Sequence, residues 1–281
     1  MTKVVDCRYG KARVRVMKVL REGAVHTLKD IDVMALLQGD FASSYTSGDN
    51  RKVVATDTIK NTINVLAKQH LAKEIEPFAL MLGEHFVARY PQVEKADIEV
   101  MERQWERMAV DGKPHPHSFA AGSETRMFTR VICARDSAEV RSGIRDLVIL
   151  KSTGSGFENY PRDEFTTLPE TGDRILATSF SATWHFGRRP DSYALVNDEV
   201  LAAMLKVFAT TYSPSAQTTL FQMGDAALAA RPEIDRLDLA MPNKHCLPIN
   251  LSPFGLENHN EVFVPTDEPH GQIEVTVARD D

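Results

Sequence analysis

The chain has 281 residues, 43% of them hydrophobic and 26% charged, with a formal net charge of -6 and a pI near 5.9. That length and mixture fit one large domain or two modest ones with a real core, and exclude a disordered chain. The negative balance disfavours nucleic acid as the main partner, and no apolar run approaches the ~20 residues needed to span a bilayer.

The first segment alternates as a strand does, with Val14 and Val16 on one face and Arg13 and Arg15 on the other. Arg21-Glu22-Gly23 signals a turn, and residues 25–36 read as the second strand of a hairpin. Residues 57–68 place Ile59, Ile63, Leu66 and Ala67 on one helical face, with Thr56 just before them as a natural N-cap. A second helix is expected over residues 76–89, where Phe78, Leu82 and Phe86 align and Pro91 stops the run. Strands follow from Ile98 past Trp105 and over residues 125–133.

The second half repeats this order without repeating its letters. Residues 147–150 sit in one strand and 174–186 form a longer one. Leu201, Met204, Leu205 and Phe208 mark a helix, and Leu220, Met223 and Leu228 mark another that ends before Pro232. Leu237, Leu239 and Met241 alternate, as do Ile273, Val275 and Val277, while residues 254–270 read as a long surface loop. The expected class is α+β: two units, residues 1–137 and 138–281, each with two helices on one face of a four-stranded antiparallel sheet. Such sheets carry exposed edges that another subunit could cover or close into a barrel.

The N-terminus has no apolar signal-peptide core, and Cys7, Cys133 and Cys246 are scattered without a CxxC pair. The last residues do not match a peroxisomal Ser-Lys-Leu ending, so the expected location is the cytoplasm.

Four segments could carry chemistry. Lys11 in Tyr9-Gly10-Lys11 reads by position alone as a solvated edge charge. Thr56 opens a helix whose free amides could also receive an anion, with Asp57 competing for that space. Small residues around Phe157 free its ring for stacking, although a core phenylalanine is the commoner outcome for that residue type. Lys151-Ser152-Thr153-Gly154 lacks the order of a phosphate loop. His245, in Pro242-Asn243-Lys244-His245, reads on its own as a hydrogen-bonded structural histidine. His115-Pro116-His117 has a proline between its histidines and no evident carboxylate or cysteine partner, and is expected in a hairpin loop rather than at a metal.

Taken together and in order, these strings resemble the urate oxidase family. The resemblance is carried by Tyr9-Gly10-Lys11, by Ala55-Thr56-Asp57-Thr58-Ile59-Lys60-Asn61-Thr62 and by residues 111–119. It continues through Leu150-Lys151-Ser152-Thr153 leading to Phe157, Asp163-Glu164-Phe165-Thr166-Thr167-Leu168, Asp173-Arg174 and Pro242-Asn243-Lys244-His245. It implies two tandem T-fold (tunnelling-fold) units, a homotetramer, and active sites at subunit interfaces. It also implies urate as substrate, O2 as co-substrate, and no metal or organic cofactor. By motif, Phe157 stacks on the purine, Arg174 and the Gln217 amide grip its pyrimidine edge, and the Ala216 N–H adds a contact. Thr56 and the Asp57 backbone come from a neighbouring subunit. Lys11, Thr56 and His245 handle protons, and Asn243 holds O2 or the attacking water. Ala216 departs from the bulkier aliphatic residue usual there, which leaves a backbone contact intact.

Two rival readings are a same-fold enzyme for pterin-like rings and a non-catalytic urate binder. The first usually grips its ring with a glutamate, where this chain offers Arg174 and Gln217. The second has no need of a proton-handling set.

Overall fold

The computed structural model describes residues 2–280 and divides the chain into two compact units, Met1–Gly143 and Ile144–Asp281. Strands dominate both.

In the first unit β1 (Arg8–Arg21), β2 (His26–Gly39), β3 (Val93–Val110) and β4 (Lys113–Ala134) lie side by side in that order, each antiparallel to the next. The period-2 pattern of β2 explains its burial, since Ile31, Val33, Ala35 and Leu37 are all closed to solvent. Against this sheet pack α2 (Thr56–His70), over β1, and α3 (Glu76–Arg89), over β3 and β4, with Ile59, Ile63, Phe78, Leu82 and Phe86 buried. A short helix, α1 (Ala42–Thr46), precedes them, too brief to show any periodicity. The end of α2 is satisfied from outside it: Lys18 Nζ donates to the carbonyls of Ala67 at 2.9 Å, Lys68 at 3.0 Å and Leu71 at 2.6 Å.

The helix start differs from its expected form. Thr56 is the first helical residue, and Ala55, extended at φ -54 and ψ 134, is the N-cap without a side-chain bond. The Ala55 carbonyl already accepts from the Ile59 N–H at 3.1 Å, which moves the cap one residue forward. The Thr56 hydroxyl, relieved of capping, is exposed and bonds no described residue.

β1 carries a bulge between Lys11 and Val14, with Arg13 at φ 56. Such irregularities bend a strand and redirect its side chains, and they collect beside functional sites. Next to the bulge, Gly10 lies so close to β2 that an added Cβ would stand 1.9 Å from the Ala35 carbonyl oxygen. Gly10→Ala is therefore expected to force β1 and β2 apart and to destabilise the fold by roughly 1–3 kcal/mol. A urea midpoint equal to that of the parent chain would refute this.

β3 and β4 join through Asp111-Gly112, both at positive φ (51° and 74°), which the tight hairpin turn requires. His115 and His117 lie within β4 just beyond that turn, not in a loop as expected. Arg107 Nη1 reaches the His115 carbonyl at 2.9 Å and the Pro116 carbonyl at 2.6 Å, holding the proline-interrupted stretch in strand form.

β5 (Ala138–Lys151) carries the chain into the second unit, where β5, β6 (Leu176–Phe186), β7 (Ile234–Ala240) and β10 (Glu274–Ala278) lie in that order. β7 is antiparallel to both β6 and β10. The helices α4 (Tyr193–Thr210) and α5 (Ala216–Ala230) cover Phe180, Ala182, Trp184, Leu237 and Leu239. Ser192 and Ser215 cap them, accepting from the N–H groups of Leu195 and Thr218.

Past β7 the chain breaks at Met241-Pro242 and resumes as β8 (Asn243–Pro248), which pairs with the start of β6 and with β9 (Phe263–Gly271). Much of the stretch expected as a loop over residues 254–270 is thus strand β9. Its Asn, Pro and Glu residues hid it because β8 and β9 form a largely exposed hairpin that needs no apolar alternation. Only a 3₁₀ turn at Ser252–Phe254 and the residues up to 262 are irregular. The expected strand over 174–186 begins two residues later, at Leu176.

Candidate active site

In the second unit, three segments without regular structure are tied together by backbone bonds. The Gly156 N–H donates to the Ser213 carbonyl at 2.8 Å, and the Ser213 N–H donates to Gly154 at 2.9 Å. The Arg174 N–H donates to the Ser155 carbonyl at 2.7 Å. Phe157 and Thr171 exchange both backbone bonds, at 2.8 and 3.2 Å. The loop bearing Phe157, the approach to β6 bearing Arg174 and the entry to α5 bearing Ala216 and Gln217 are therefore neighbours.

Glycine makes this closeness possible. A Cβ on Gly156 would stand 2.3 Å from the Tyr212 hydroxyl and 2.9 Å from the Thr171 carbonyl oxygen. Asp173 closes the turn by accepting from the Thr153 hydroxyl and from the Gly154 N–H, the latter at 2.8 Å. The Thr153 bond, followed by the Gly154 bond, holds its carboxyl below the usual carboxylate range.

The Asp173 carboxylate is thus spent on the loop and leaves the neighbouring Arg174 without a counter-ion. Among the described residues Arg174 makes no ion pair, and its Nε is buried without a hydrogen-bond partner. Burial pushes its guanidinium below its ordinary range, with the Tyr212 phenol opposing the shift. A desolvated cation that keeps its charge is a strong attractor for an anion with two parallel acceptors. The guanidinium carbon lies 5.4 Å from the centre of the Phe157 ring.

A cavity of 290 Å³ opens here, lined by Phe157 and Arg174 together with Leu168, Ile175, Asn243 and His245. Both the Asn243 amide and the His245 imidazole are half-buried in its wall and bond no described residue. Pro242 ends β7, and β8 starts from a bulge between Asn243 and His245, so the strand brings both side chains to the cavity. The wall therefore offers one flat aromatic face, one unpaired cation and two free polar groups. That suits a small, planar, anionic ring better than an extended or apolar ligand.

Four of the expected site residues thus meet at one cavity: Phe157, Arg174, Asn243 and His245. Ala216 and Gln217 do not line it but open α5 beside it. Ala216 is buried and Gln217 exposed, and as the first two helical residues their N–H groups have no intrahelical acceptor.

Lys11, Thr56 and Asp57 lie in the first unit. There Tyr9 joins their two segments, its hydroxyl accepting from the Val54 N–H at 2.6 Å while its ring packs edge-on to Phe41. Asp57 bonds Lys60 and, at 2.9 Å, Asn61. The Lys60 bond chiefly, with the charge of Lys11 adding to it, holds the Asp57 carboxyl low. Lys11 and the start of α2 therefore form one local cluster.

Sequence reasoning missed Tyr160, which stacks on Phe157, and Tyr212, which wedges against Gly156. The spacing Phe157-x-x-Tyr160 was the available signal for the first. Among the described residues no group of three or more His, Cys, Asp or Glu side chains is arranged to hold a metal ion, and no helix is long and apolar enough to cross a membrane.

A family model described as Uricase matches residues 7–131 and 140–274. The chain is 41% identical to a uricase of Dictyostelium discoideum, over 99% of this chain and 98% of that protein. It is 40% identical to one of Arabidopsis thaliana, over 98% and 96% respectively. The crystal structure of uricase from Arthrobacter globiformis superposes with a TM-score of 0.93 at 40% identity, covering 99% of this chain and 96% of the other.

Proposed function

The chain belongs to the uricase family and is a urate oxidase, and from that premise we propose that it converts urate, O2 and water to 5-hydroxyisourate and hydrogen peroxide without a metal or organic cofactor. The observation that carries the reading is Arg174, an unpaired and partly desolvated cation beside a flat aromatic ring. The urate anion supplies the charge, the carbonyl edge and the plane that this pair lacks.

In the proposed complex Phe157 stacks on the ring, while Arg174 and the Gln217 amide bond its pyrimidine edge, with the Ala216 N–H adding a contact. Thr56 and the Asp57 backbone approach the imidazole side from a neighbouring subunit of a homotetramer. Lys11 takes a proton from the urate anion through the Thr56 hydroxyl and a water. The resulting dianion gives one electron to O2, the radical pair joins at C5 as a peroxide, and Lys11 returns its proton to make the hydroperoxide. Loss of hydrogen peroxide, aided by a proton from His245, leaves an oxidised ring to which water adds at C5. Asn243 holds first O2 and then that water above the ring. Substrate and O2 between them account for both electrons transferred.

Cytosolic residence belongs to the same reading, supported by Cys7, Cys133 and Cys246, none of which is in a disulfide.

The test is turnover by purified protein freed of metal and kept in chelator. Loss of urate's ultraviolet absorbance should accompany one O2 consumed and one hydrogen peroxide released per urate. Activity that vanishes with the metal and returns when it is restored would refute cofactor independence.

A further inference from the structure

We infer that Tyr160 is a positioning residue for the substrate, fixing the plane of the ring on which urate stacks. The inference rests on the proposed role of Phe157.

Tyr160 lies parallel to Phe157, with ring centres 4.8 Å apart and planes within 11°. The chain reaches this arrangement by a local reversal at Asn159, whose φ is 60°. That turn is braced by the Asn159 N–H donating to the Glu170 carboxylate at 3.1 Å. The Tyr160 hydroxyl donates to the Leu168 carbonyl at 2.5 Å. Arg162 also bonds that carbonyl, at 3.2 Å, and its guanidinium stands 5.8 Å over the Tyr160 ring. Tyr160 is thus held by its hydroxyl, by its neighbouring cation and by its own backbone turn.

The cavity beside Phe157 distinguishes the two rings. Phe157 and Leu168 line it and Tyr160 does not. Tyr160 therefore backs one face of Phe157 from outside the cavity and leaves the other as the stacking platform. Backbone bonds to Thr171 fix where Phe157 starts but not the angle of its ring. A parallel aromatic neighbour restricts that angle before any ligand arrives, so less ordering is left for binding to supply.

A backing residue touches neither urate nor O2. Its loss should weaken ground state and transition state alike, raising KM and leaving kcat nearly unchanged. Tyr160→Leu is expected to raise KM for urate, and Kd for a non-oxidisable urate analogue, by about threefold to tenfold, with kcat within about twofold. Tyr160→Phe keeps the stack and should restore both constants to near the parent values. Tyr160→Met serves in the same role should the leucine variant not fold. An unchanged Kd in the leucine or methionine variant overturns the inference. So does a phenylalanine variant as impaired as leucine, or a kcat that falls in step with affinity. Phe157→Leu separates the two levels. If it too leaves analogue affinity unchanged, the stacking role of Phe157 fails; if it weakens binding while Tyr160→Leu does not, only the backing role fails.

Discussion

Replacing Lys11 by methionine together with Thr56 by alanine is expected to lower kcat by about 10²–10⁴-fold, the range for losing a general base, while analogue binding changes by less than about tenfold. The two residues belong to one local cluster. Tyr9 joins β1 to the segment before α2 through the Val54 N–H, and Lys11 lies near enough to Asp57 for its charge to act on that carboxylate. The Thr56 hydroxyl is exposed, bonds no described residue and sits at the helix start. It is therefore available to pass a proton between a substrate and a base. Lys60 occupies Asp57, and Lys11 makes no ion pair among the described residues. Steady-state kinetics and analogue titration on the same preparation separate the two quantities. Equal losses in both would make these residues positioning groups only.

Arg174→Ala carries the second large effect, on affinity. Bonds to a charged group are worth roughly 1.5–3 kcal/mol each, so losing a two-pronged grip should weaken analogue binding by at least about 10²-fold. The alanine variant should be no less stable than the parent, because Arg174 satisfies no acidic partner among the described residues. Removing its desolvated charge relieves a cost of folding. Arg174→Lys keeps the charge but loses the planar fork, and it should fall between parent and alanine. Titration calorimetry gives the affinities and thermal melting the stabilities. Affinity unchanged in the alanine variant would remove the observation on which the functional reading stands.

The elements that bury an apolar face were legible in the sequence. α3 matches its expected span over residues 76–89, and β2 shows the period-2 burial of a half-buried strand. The β8–β9 hairpin was not, because an exposed pair is held by its backbone ladder and imposes no pattern on its side chains. The cap of α2 slipped by one residue because threonine can stand at the cap or at the first helical position, and only backbone angles decide. At the site, the letters around Phe157, Arg174, Asn243 and His245 pointed to residues that now line one cavity. They could not show Arg174 to be unpaired, since that depends on where Asp173 spends its carboxylate, nor Tyr160 folding back through the turn at Asn159. Both depend on backbone paths through irregular loops, where no periodicity exists to read.

The proposed shared site joins Lys11 and Thr56 of one subunit to the clamp of another. It is tested most directly by mixing two impaired chains, one carrying Lys11→Met with Thr56→Ala and the other Arg174→Ala, and assaying at urate well below the raised KM of the second. In a hybrid pair one of the two sites combines both defects, and the other combines an intact proton-handling cluster with an intact clamp. Random pairing of the two chains should then restore about a quarter of parent activity, half the pairs being hybrids with one good site each. Hybrid oligomers shown to have formed but as inactive as either chain alone would contradict the shared site.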